Sequence, residues 1–213
     1  MNVAAVVVCD APDLDVLTPV GGVPLLVRAV DMFRDAGEFS RVHVLAAPEE
    51  HARLSDACAG RPIVVHPHIT QRPNRPASNG SGTLRRTIGA VDALVVHDVT
   101  WALVGPYVLP AVLAGLAAGH DAVVPVVPLT DTVKDVTASG LVAGTPDRAG
   151  LRVVQTPQAY RSAVLDELAG PRWPALVASG VEVHTVAGDP AALPLRTAAD
   201  VELATAVLRG EQA

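Results

Sequence analysis

A histidine and an aspartate follow a short apolar run in the middle of the chain, as His97 and Asp98. If the run Ala93–Val96 is a strand, Asp98 lies at its carboxyl end, where a carboxylate can hold a metal ion or a substrate hydroxyl. An aspartate at such a position also caps turns, and its place in the sequence fits both roles. Asp98 is therefore a candidate for metal or substrate binding, with turn capping as the alternative.

A loop of small residues, Ser78–Thr83, comes before a segment predicted as a helix, Thr83–Val91. Glycines let the backbone approach a ligand, and the N-terminus of a helix favours an anion or a polar edge. The loop is not a Walker motif, because no Gly-Lys-Ser/Thr follows it, and a plain flexible loop has the same composition. The candidate ligand-binding residues in this loop are Gly80, Ser81, Gly82 and Thr83.

Thr156, Pro157 and Gln158 precede a segment of helical length, Ala159–Leu168. Threonine is a good N-cap residue and proline is favoured in the first turn of a helix. The sequence therefore predicts a helix capped by Thr156, and capping alone explains these residue types.

Other kinds of site are disfavoured. The seven histidines show no metal-binding spacing, and no Cys-x-x-Cys pair or Gly-x-Ser-x-Gly elbow is present. Cys9 and Cys58 cannot build a disulfide framework, which indicates a reducing compartment. A net charge of −6 and 3% aromatic residues argue against nucleic acid and anionic membranes as partners. We see no signal peptide or membrane span, and we expect a cytoplasmic protein.

The elements that position these residues are short continuous apolar runs separated by segments of helical length. Continuous runs are typical of strands buried on both faces, so the pattern predicts a mostly parallel sheet with helices on both faces, an α/β fold. The predicted strands are Val3–Val8, Val42–Ala47, Pro62–His66, Ala93–His97, Ala122–Val127 and Val181–Val186. The other predicted helices are Pro24–Ala36, Glu49–Ala59, Pro106–Ala118 and Ala198–Arg209.

Ligands bind such sheets at the carboxyl ends of the strands, which points to Cys9–Leu17, Ser78–Thr83 and His97–Trp101. The polar, Gly-rich segment 128–151 interrupts the succession of apolar strands and helices. Its stretches of alternating polar and apolar residues predict a projecting β-arm. Exposed strand edges tend to be covered by a partner, so we expect a homodimer formed through this arm. We see no linker, and residues 1–213 are expected to form a single domain.

Six fragments, in order and nearly from end to end, resemble the 2-C-methyl-D-erythritol 4-phosphate cytidylyltransferase family. The fragments are Pro19–Leu25, Val95–Asp98, Pro128–Lys134, Asp147–Leu151, Gln155–Gln158 and Ala199–Ala204. The resemblance implies a Rossmann-like fold of the nucleotide-diphospho-sugar-transferase type and a homodimer that exchanges its arms. It also implies a reaction in which methylerythritol phosphate attacks the α-phosphorus of CTP and pyrophosphate leaves, assisted by Mg²⁺.

The resemblance weakens where phosphate is handled. The family's first loop reads Ala-Ala-Gly-x-Gly-x-Arg and then Pro-Lys-Gln, whereas Cys9–Leu17 carries no glycine and no cation. Asp15 stands where the resemblance implies the catalytic lysine, and Trp101 where it implies an arginine that binds the substrate's phosphate. With Asp10 and Asp13, Asp15 is expected to repel a triphosphate. No catalytic residue of the family is therefore expected to be intact.

Other family positions are kept, and the resemblance makes them candidates for substrate or nucleotide binding. They are Asp98, Thr132, Lys134, Arg148 and Thr156, together with the 80–83 loop where the family reads cytosine. Arg196 stands near the family's last lysine and is a partial substitute for it.

Three functions are compatible with this pattern. The first is a CTP-dependent cytidylyltransferase with a rebuilt phosphate loop, which requires Mg²⁺. The second is a non-catalytic dimeric paralogue that binds a partner protein or another ligand, needs no cofactor and binds CTP weakly or not at all. The third is a nucleotidyltransferase whose acidic loop holds additional Mg²⁺ for another substrate. The missing cations favour the second.

Overall fold

An eight-stranded sheet forms the centre of the protein. The computed structural model describes residues 1–11, 13–67, 88–165, 173–178 and 180–210. The strands of this sheet are β1 (Val3–Val8), β4 (Val42–Ala46), β5 (Ile63–Pro67), β6 (Ala93–Asp98), β7 (Ala122–Pro128), β10 (Arg152–Val154), β11 (Gln158–Arg161) and β12 (Val183–Ala187). Two small two-stranded sheets lie apart from it, β2 (Pro19–Val20) with β3 (Val23–Pro24) and β8 (Asp135–Val136) with β9 (Val142–Gly144).

The order of strands is β10-β7-β11-β6-β1-β4-β5, and β12 pairs with β7. Strands β5, β4, β1 and β6 run parallel, as do β7 and β12, while β10 and β11 run antiparallel to their neighbours. All six predicted strands are present, with boundaries that differ by at most two residues. The predicted mostly parallel α/β fold is confirmed.

Helices and short turns connect these strands. They are α1 (Leu25–Ala36), α2 (His51–Ala57), α3 (Val108–Ala117), α4 (Ser162–Leu165), α5 (Trp173–Ala178) and α6 (Ala198–Gly210), with 3₁₀ turns at Pro48–Glu50 and Val99–Trp101. In α1, Leu26, Val30 and Phe33 recur on the face that is buried against the sheet. The helix ends at Gly37, whose φ of 71° lets its N–H bond to the carbonyl of Arg34. None of the described helices has the length and apolar character that crossing a membrane requires.

Alternate residues of the strands point to opposite faces of the sheet, and each face packs in its own apolar cluster. Ala5 and Val7 of β1 belong to the larger one, with α1, α3, α6 and Leu54 of α2. Ala4 and Val6 face the smaller one, which includes the buried Tyr160 and Leu176 of α5. Burial on both faces explains why the strands read as continuous apolar runs.

The predicted helix Ala159–Leu168 is wrong over its first three residues. Residues Gln158–Arg161 form strand β11, which pairs with β6 on one side and β7 on the other, and a helix follows at Ser162–Leu165. Residues 166–168 of the predicted helix lie outside the described part of the chain. Ala159 and Tyr160 are fully buried between those strands. Pairing across the sheet therefore overrides the local helix signal, and Thr156 does not cap a helix.

Segment 128–151 contains the small sheet β8–β9, in which Asp135 pairs with Gly144 and Val136 with Val142. The hydroxyl and backbone of Thr137 bond to Leu141 and close the hairpin. The apolar side chains Val136, Leu141 and Val142 are 58%, 68% and 66% exposed. The hairpin thus leaves an apolar surface uncovered in the single chain.

Candidate functional site

The segments that follow three parallel strands, β1, β6 and β4, meet at the carboxyl edge of the sheet. In the parallel register, Val8 of β1 lies beside Asp98 of β6, so the loops that follow these two strands begin side by side. The amide of Cys9 donates to the carbonyl of Leu45, which ties the first loop to the end of β4. The first loop, the turn after β6 and helix α2 after β4 therefore share one rim.

Asp98 caps the 3₁₀ turn Val99–Trp101 through Oδ1, which accepts from the amide of Thr100 at 2.9 Å and from its hydroxyl at 2.8 Å. Burial raises the pKa of this carboxyl, the two bonds from Thr100 and the charge of Arg196 lower it, and the charge of Asp10 raises it. Both roles foreseen from sequence are therefore compatible with the geometry. Asp98 caps a turn, and the charges of Asp10 and Arg196 are close enough to shift the pKa of its carboxyl.

A short hydrogen-bonded chain runs behind Asp98. The amide of Asp98 donates to Oγ1 of Thr156 at 3.3 Å, and that hydroxyl lies 3.0 Å from Nδ1 of His97. Burial lowers the pKa of His97 to about 3, so its ring is neutral and Nδ1 can accept the Thr156 proton. The Thr156–Pro157 peptide is cis. Thr156 thus braces the end of β6.

Arg196 reaches this rim from the loop between β12 and α6. The amide of Leu195 donates to the carbonyl of Thr100 at 2.9 Å, and the amide of Arg196 donates to Asp200 at 2.9 Å. Leu195 is fully buried while Arg196 is exposed, so the backbone is fixed and the guanidinium faces solvent. The structure therefore brings together three sequence-predicted candidates, Asp98, Thr156 and Arg196.

Asp15 is not the free carboxylate that the sequence led us to expect. Its side chain accepts from Nη1 of Arg53 at 2.8 Å and from Nη2 at 3.1 Å. These bonds from Arg53, helped by the amide of Leu17, lower the pKa of Asp15. Nε of Arg53 also donates to Glu50 at 2.9 Å. A cation from α2 therefore contacts the residue that stands where the resemblance implies a lysine.

The remaining loop residues do not supply a nucleophile or a cation. Burial raises the pKa of Cys9 to about 12, so its thiol stays protonated. Trp101, which stands where the resemblance implies an arginine, is only 8% exposed and is buried in the turn after β6. Asp10 and Asp13 are exposed to solvent.

Three retained residues lie in the arm rather than beside Asp98. Arg148 donates to the carbonyls of Thr130 at 2.7 Å and Asp131 at 3.1 Å, and Lys134 bonds to Thr145. Thr132 is exposed. The candidates Gly80, Ser81, Gly82 and Thr83 lie outside the described residues.

Four of the described histidines form two pairs that their spacing in the sequence does not reveal. His43 Nδ1 lies 2.8 Å from His66 Nε2 across β4 and β5, and His120 stacks on His184 with ring centroids 3.6 Å apart. Burial lowers the pKa of His43 to about 4, which keeps it neutral at pH 7. Within the described ranges, no group of three or more His, Cys, Asp or Glu residues could hold a metal ion.

Comparison with known proteins finds a matching family and several similar sequences. The sequence profile of the 2-C-methyl-D-erythritol 4-phosphate cytidylyltransferase family matches residues 15–210, a range that begins within the first loop. The curated enzyme of that name from Nocardia farcinica is 38% identical over 199 residues, which cover 89% of this chain and 84% of the relative. That from Frankia casuarinae is 38% identical over 206 residues, covering 90% and 73% of the two chains.

Solved structures agree with the fold. The 4-diphosphocytidyl-2C-methyl-D-erythritol synthase of Anaerococcus prevotii superposes with a TM-score of 0.78 at 19% identity and covers 98% of each chain. The 2-C-methyl-D-erythritol 4-phosphate cytidylyltransferase of Thermus thermophilus superposes with a TM-score of 0.73 at 26% identity, covering 97% of this chain and 98% of its own.

Proposed function

We propose that this chain, which belongs to the 2-C-methyl-D-erythritol 4-phosphate cytidylyltransferase family, transfers a cytidylyl group from CTP to methylerythritol phosphate in the cytoplasm. The phosphate of the acceptor attacks the α-phosphorus of CTP and pyrophosphate leaves, a step of isoprenoid biosynthesis. The observation that carries the proposal is the meeting of Asp98, Thr156 and Arg196 at the carboxyl edge, inside the range that matches the family.

Phosphoryl transfer of this kind depends on positioning and on the neutralisation of charge. Arg196, exposed beside Asp98, is placed to bind a phosphate. Thr156 and Thr100 hold the backbone and the carboxylate of Asp98 in place.

Mg²⁺ fits this rim, because it favours carboxylate oxygens and is held in such sites by one or two carboxylates together with substrate phosphates. Asp98 would hold it, with Asp10 near enough to influence the Asp98 carboxyl. The metal would neutralise charge on the phosphates.

We propose a homodimer formed through the arm. Support comes from the exposed apolar residues of the β8–β9 hairpin, Leu141 and Val142 above all. In such a dimer, Thr132 and Arg148 of one subunit act at the Asp98 rim of the other, which accounts for retained site residues that lie in the arm.

Replacing Leu141 with aspartate is expected to weaken this dimer by at least about tenfold in dissociation constant, because a charge then enters an apolar contact. Sedimentation velocity over micromolar concentrations measures the change. The control is Leu203→Asp, since Leu203 is an exposed leucine of helix α6 and does not belong to the arm. A dimer that persists in Leu141→Asp, or a wild-type chain that stays monomeric, would contradict the arm's role.

A second candidate function is a non-catalytic dimeric paralogue that binds a partner or another ligand and needs no metal. It is favoured by Asp15 of the first loop and by the buried Trp101 of the turn after β6, because both stand at positions that the resemblance assigns to cations. A protein of this kind would bind CTP weakly or not at all.

Pyrophosphate release from CTP and methylerythritol phosphate decides between the two. We expect slow release that stops when Mg²⁺ is chelated and that falls when UTP or ATP replaces CTP. Removal of one preorganised charge donor typically costs about 10²–10³-fold in rate, and three positions are altered here (the loop arginine, the lysine and the arginine replaced by Trp101), although such losses are not additive. Absence of both release and CTP binding, measured by calorimetry, would establish the non-catalytic function instead.

A further inference from the structure

We propose that Arg53 of helix α2 is a phosphate-binding residue of this chain, held in the free protein by Asp15 and Glu50 and transferred to the polyphosphate of the nucleotide when it binds. The inference rests on the proposed function for the identity of the nucleotide. It gives the rebuilt loop a cation that comes from a different element.

The position of Arg53 is fixed by the fold rather than by a flexible loop. Strand β4 leads through the turn Pro48–Glu50 into α2, and Leu54, the residue after Arg53, is fully buried in the larger apolar cluster. The loop is fixed from the other side, since the amide of Thr18 bonds to the carbonyl of Asp15 at 2.8 Å and that of Leu26 to Val16 at 3.0 Å. The guanidinium and the loop backbone are therefore preorganised next to each other.

The contacts that hold Arg53 are open to solvent. The Arg53, Asp15 and Glu50 side chains are 45%, 51% and 36% exposed. Exposed ion pairs of this kind contribute little to stability, so exchanging a partner costs little. A phosphate accepts two parallel bonds from a guanidinium as a carboxylate does, and a triphosphate carries more negative charge. A nucleotide can therefore displace Asp15 from Arg53.

A purely structural latch between α2 and the loop is the alternative. The two roles predict opposite effects for Asp15. If Arg53 only fastens the loop, removing the charge of Asp15 loosens the site and weakens every ligand. If Arg53 binds phosphate, removing that charge frees the guanidinium and reduces repulsion, so polyphosphates bind more tightly.

The test measures binding of inorganic tripolyphosphate, CTP and cytidine by calorimetry to the full chain and to Arg53→Gln, Arg53→Lys and Asp15→Asn. We expect Arg53→Gln to weaken tripolyphosphate and CTP by about 10- to 100-fold, as loss of a charged hydrogen-bonding partner does. Arg53→Lys should lose less affinity for these two ligands than Arg53→Gln does. Asp15→Asn should bind tripolyphosphate and CTP about 3- to 10-fold more tightly than the wild type. Cytidine, which has no phosphate, should bind each variant as it binds the wild type.

Arg34→Gln is the matched control. Arg34 is 44% exposed and is also paired with two carboxylates, Asp31 and Asp35, but it lies near the end of α1. Its replacement should leave tripolyphosphate binding unchanged. Equal weakening by Arg34→Gln and Arg53→Gln, or tripolyphosphate binding that Arg53→Gln leaves unchanged, overturns the proposal, as does a wild-type chain that binds no tripolyphosphate.

The result for Arg53 can be distinguished from the result for the proposed enzyme activity. Binding of tripolyphosphate that depends on Arg53, without pyrophosphate release from CTP, supports this inference and rejects the enzyme. Turnover of CTP that Arg53→Gln does not affect supports the enzyme and rejects this inference.

Discussion

Replacing Asp98 with asparagine is expected to lower the rate of pyrophosphate release by about 10²–10³-fold without destabilising the protein. The asparagine oxygen can still accept both bonds from Thr100, so the turn after β6 is kept and only the charge is lost. Burial raises the pKa of Asp98, which means that the fold disfavours the charged form. At pH 7 the neutral asparagine should therefore leave the free energy of unfolding unchanged or raise it.

Two measurements check this prediction, pyrophosphate release and chemical denaturation at pH 7. Asp92→Asn is the matched control, because Asp92 precedes the same strand at the opposite edge of the sheet, where it accepts from the amide of Asn2. That variant should turn over at the wild-type rate. If Asp98→Asn loses activity only in proportion to a loss of stability, Asp98 is a structural cap and not part of the site.

The sheet could be predicted from the sequence because its signal is local. Runs such as Val3–Val8 and Ala122–Pro128 are apolar at every position, since both faces are buried, and the segments between them are long enough for helices. Segment 158–161 could not be predicted in this way. It reads as the start of a helix after a Thr-Pro pair, and only its pairing with β6 and β7 makes it a strand.

The sequence predicts site residues that belong to a local motif, but it does not predict contacts between segments that are distant along the chain. Asp98 follows a recognisable strand and was found. The contact between Asp15 and Arg53 joins residues 38 positions apart. The spacing of Glu50 and Arg53, three residues apart on a short helical segment, predicts an ion pair between those two. Nothing in the sequence extends that pair to the loop, so the loop read as purely acidic.

Asp189 links the loop that carries Arg196 to the rest of the rim, and it is 7% exposed. Its Oδ2 accepts from the amide of Gly105 at 2.8 Å and its Oδ1 from the amide of Ala191 at 2.9 Å. Its backbone amide and carbonyl bond to the buried side chain of Gln155, both at 2.8 Å. Three segments, 105, 155 and 189–191, are thereby fixed to one another beside the site.

Because both oxygens of Asp189 accept from backbone amides, Asp189→Asn is expected to be costly despite its equal size. One amide oxygen can replace one carboxylate oxygen, but the NH₂ group then faces a second N–H donor and leaves it without a partner. Both bonds are part-buried, so a donor left unsatisfied costs up to about 1–3 kcal/mol, and the lost charge-assisted bond adds to this. We expect the free energy of unfolding to fall by about 2–3 kcal/mol and the thermal midpoint by roughly 4–12 °C for a chain of this length.

The matched control for this prediction is Asp200→Asn in the first turn of helix α6, directly after the loop. Oδ2 of Asp200 accepts all three bonds, from the amides of Arg196 and Thr197 and from the hydroxyl of Thr197. An asparagine oxygen can occupy that place while its NH₂ group points to solvent, so the loss should be clearly smaller than for Asp189→Asn. Equal thermal midpoints for Asp189→Asn and Asp200→Asn would show that the carboxylate of Asp189 is not held between two donors. A larger loss for Asp189→Asn, with CTP binding weakened in that variant alone, is expected if this brace also fixes Arg196.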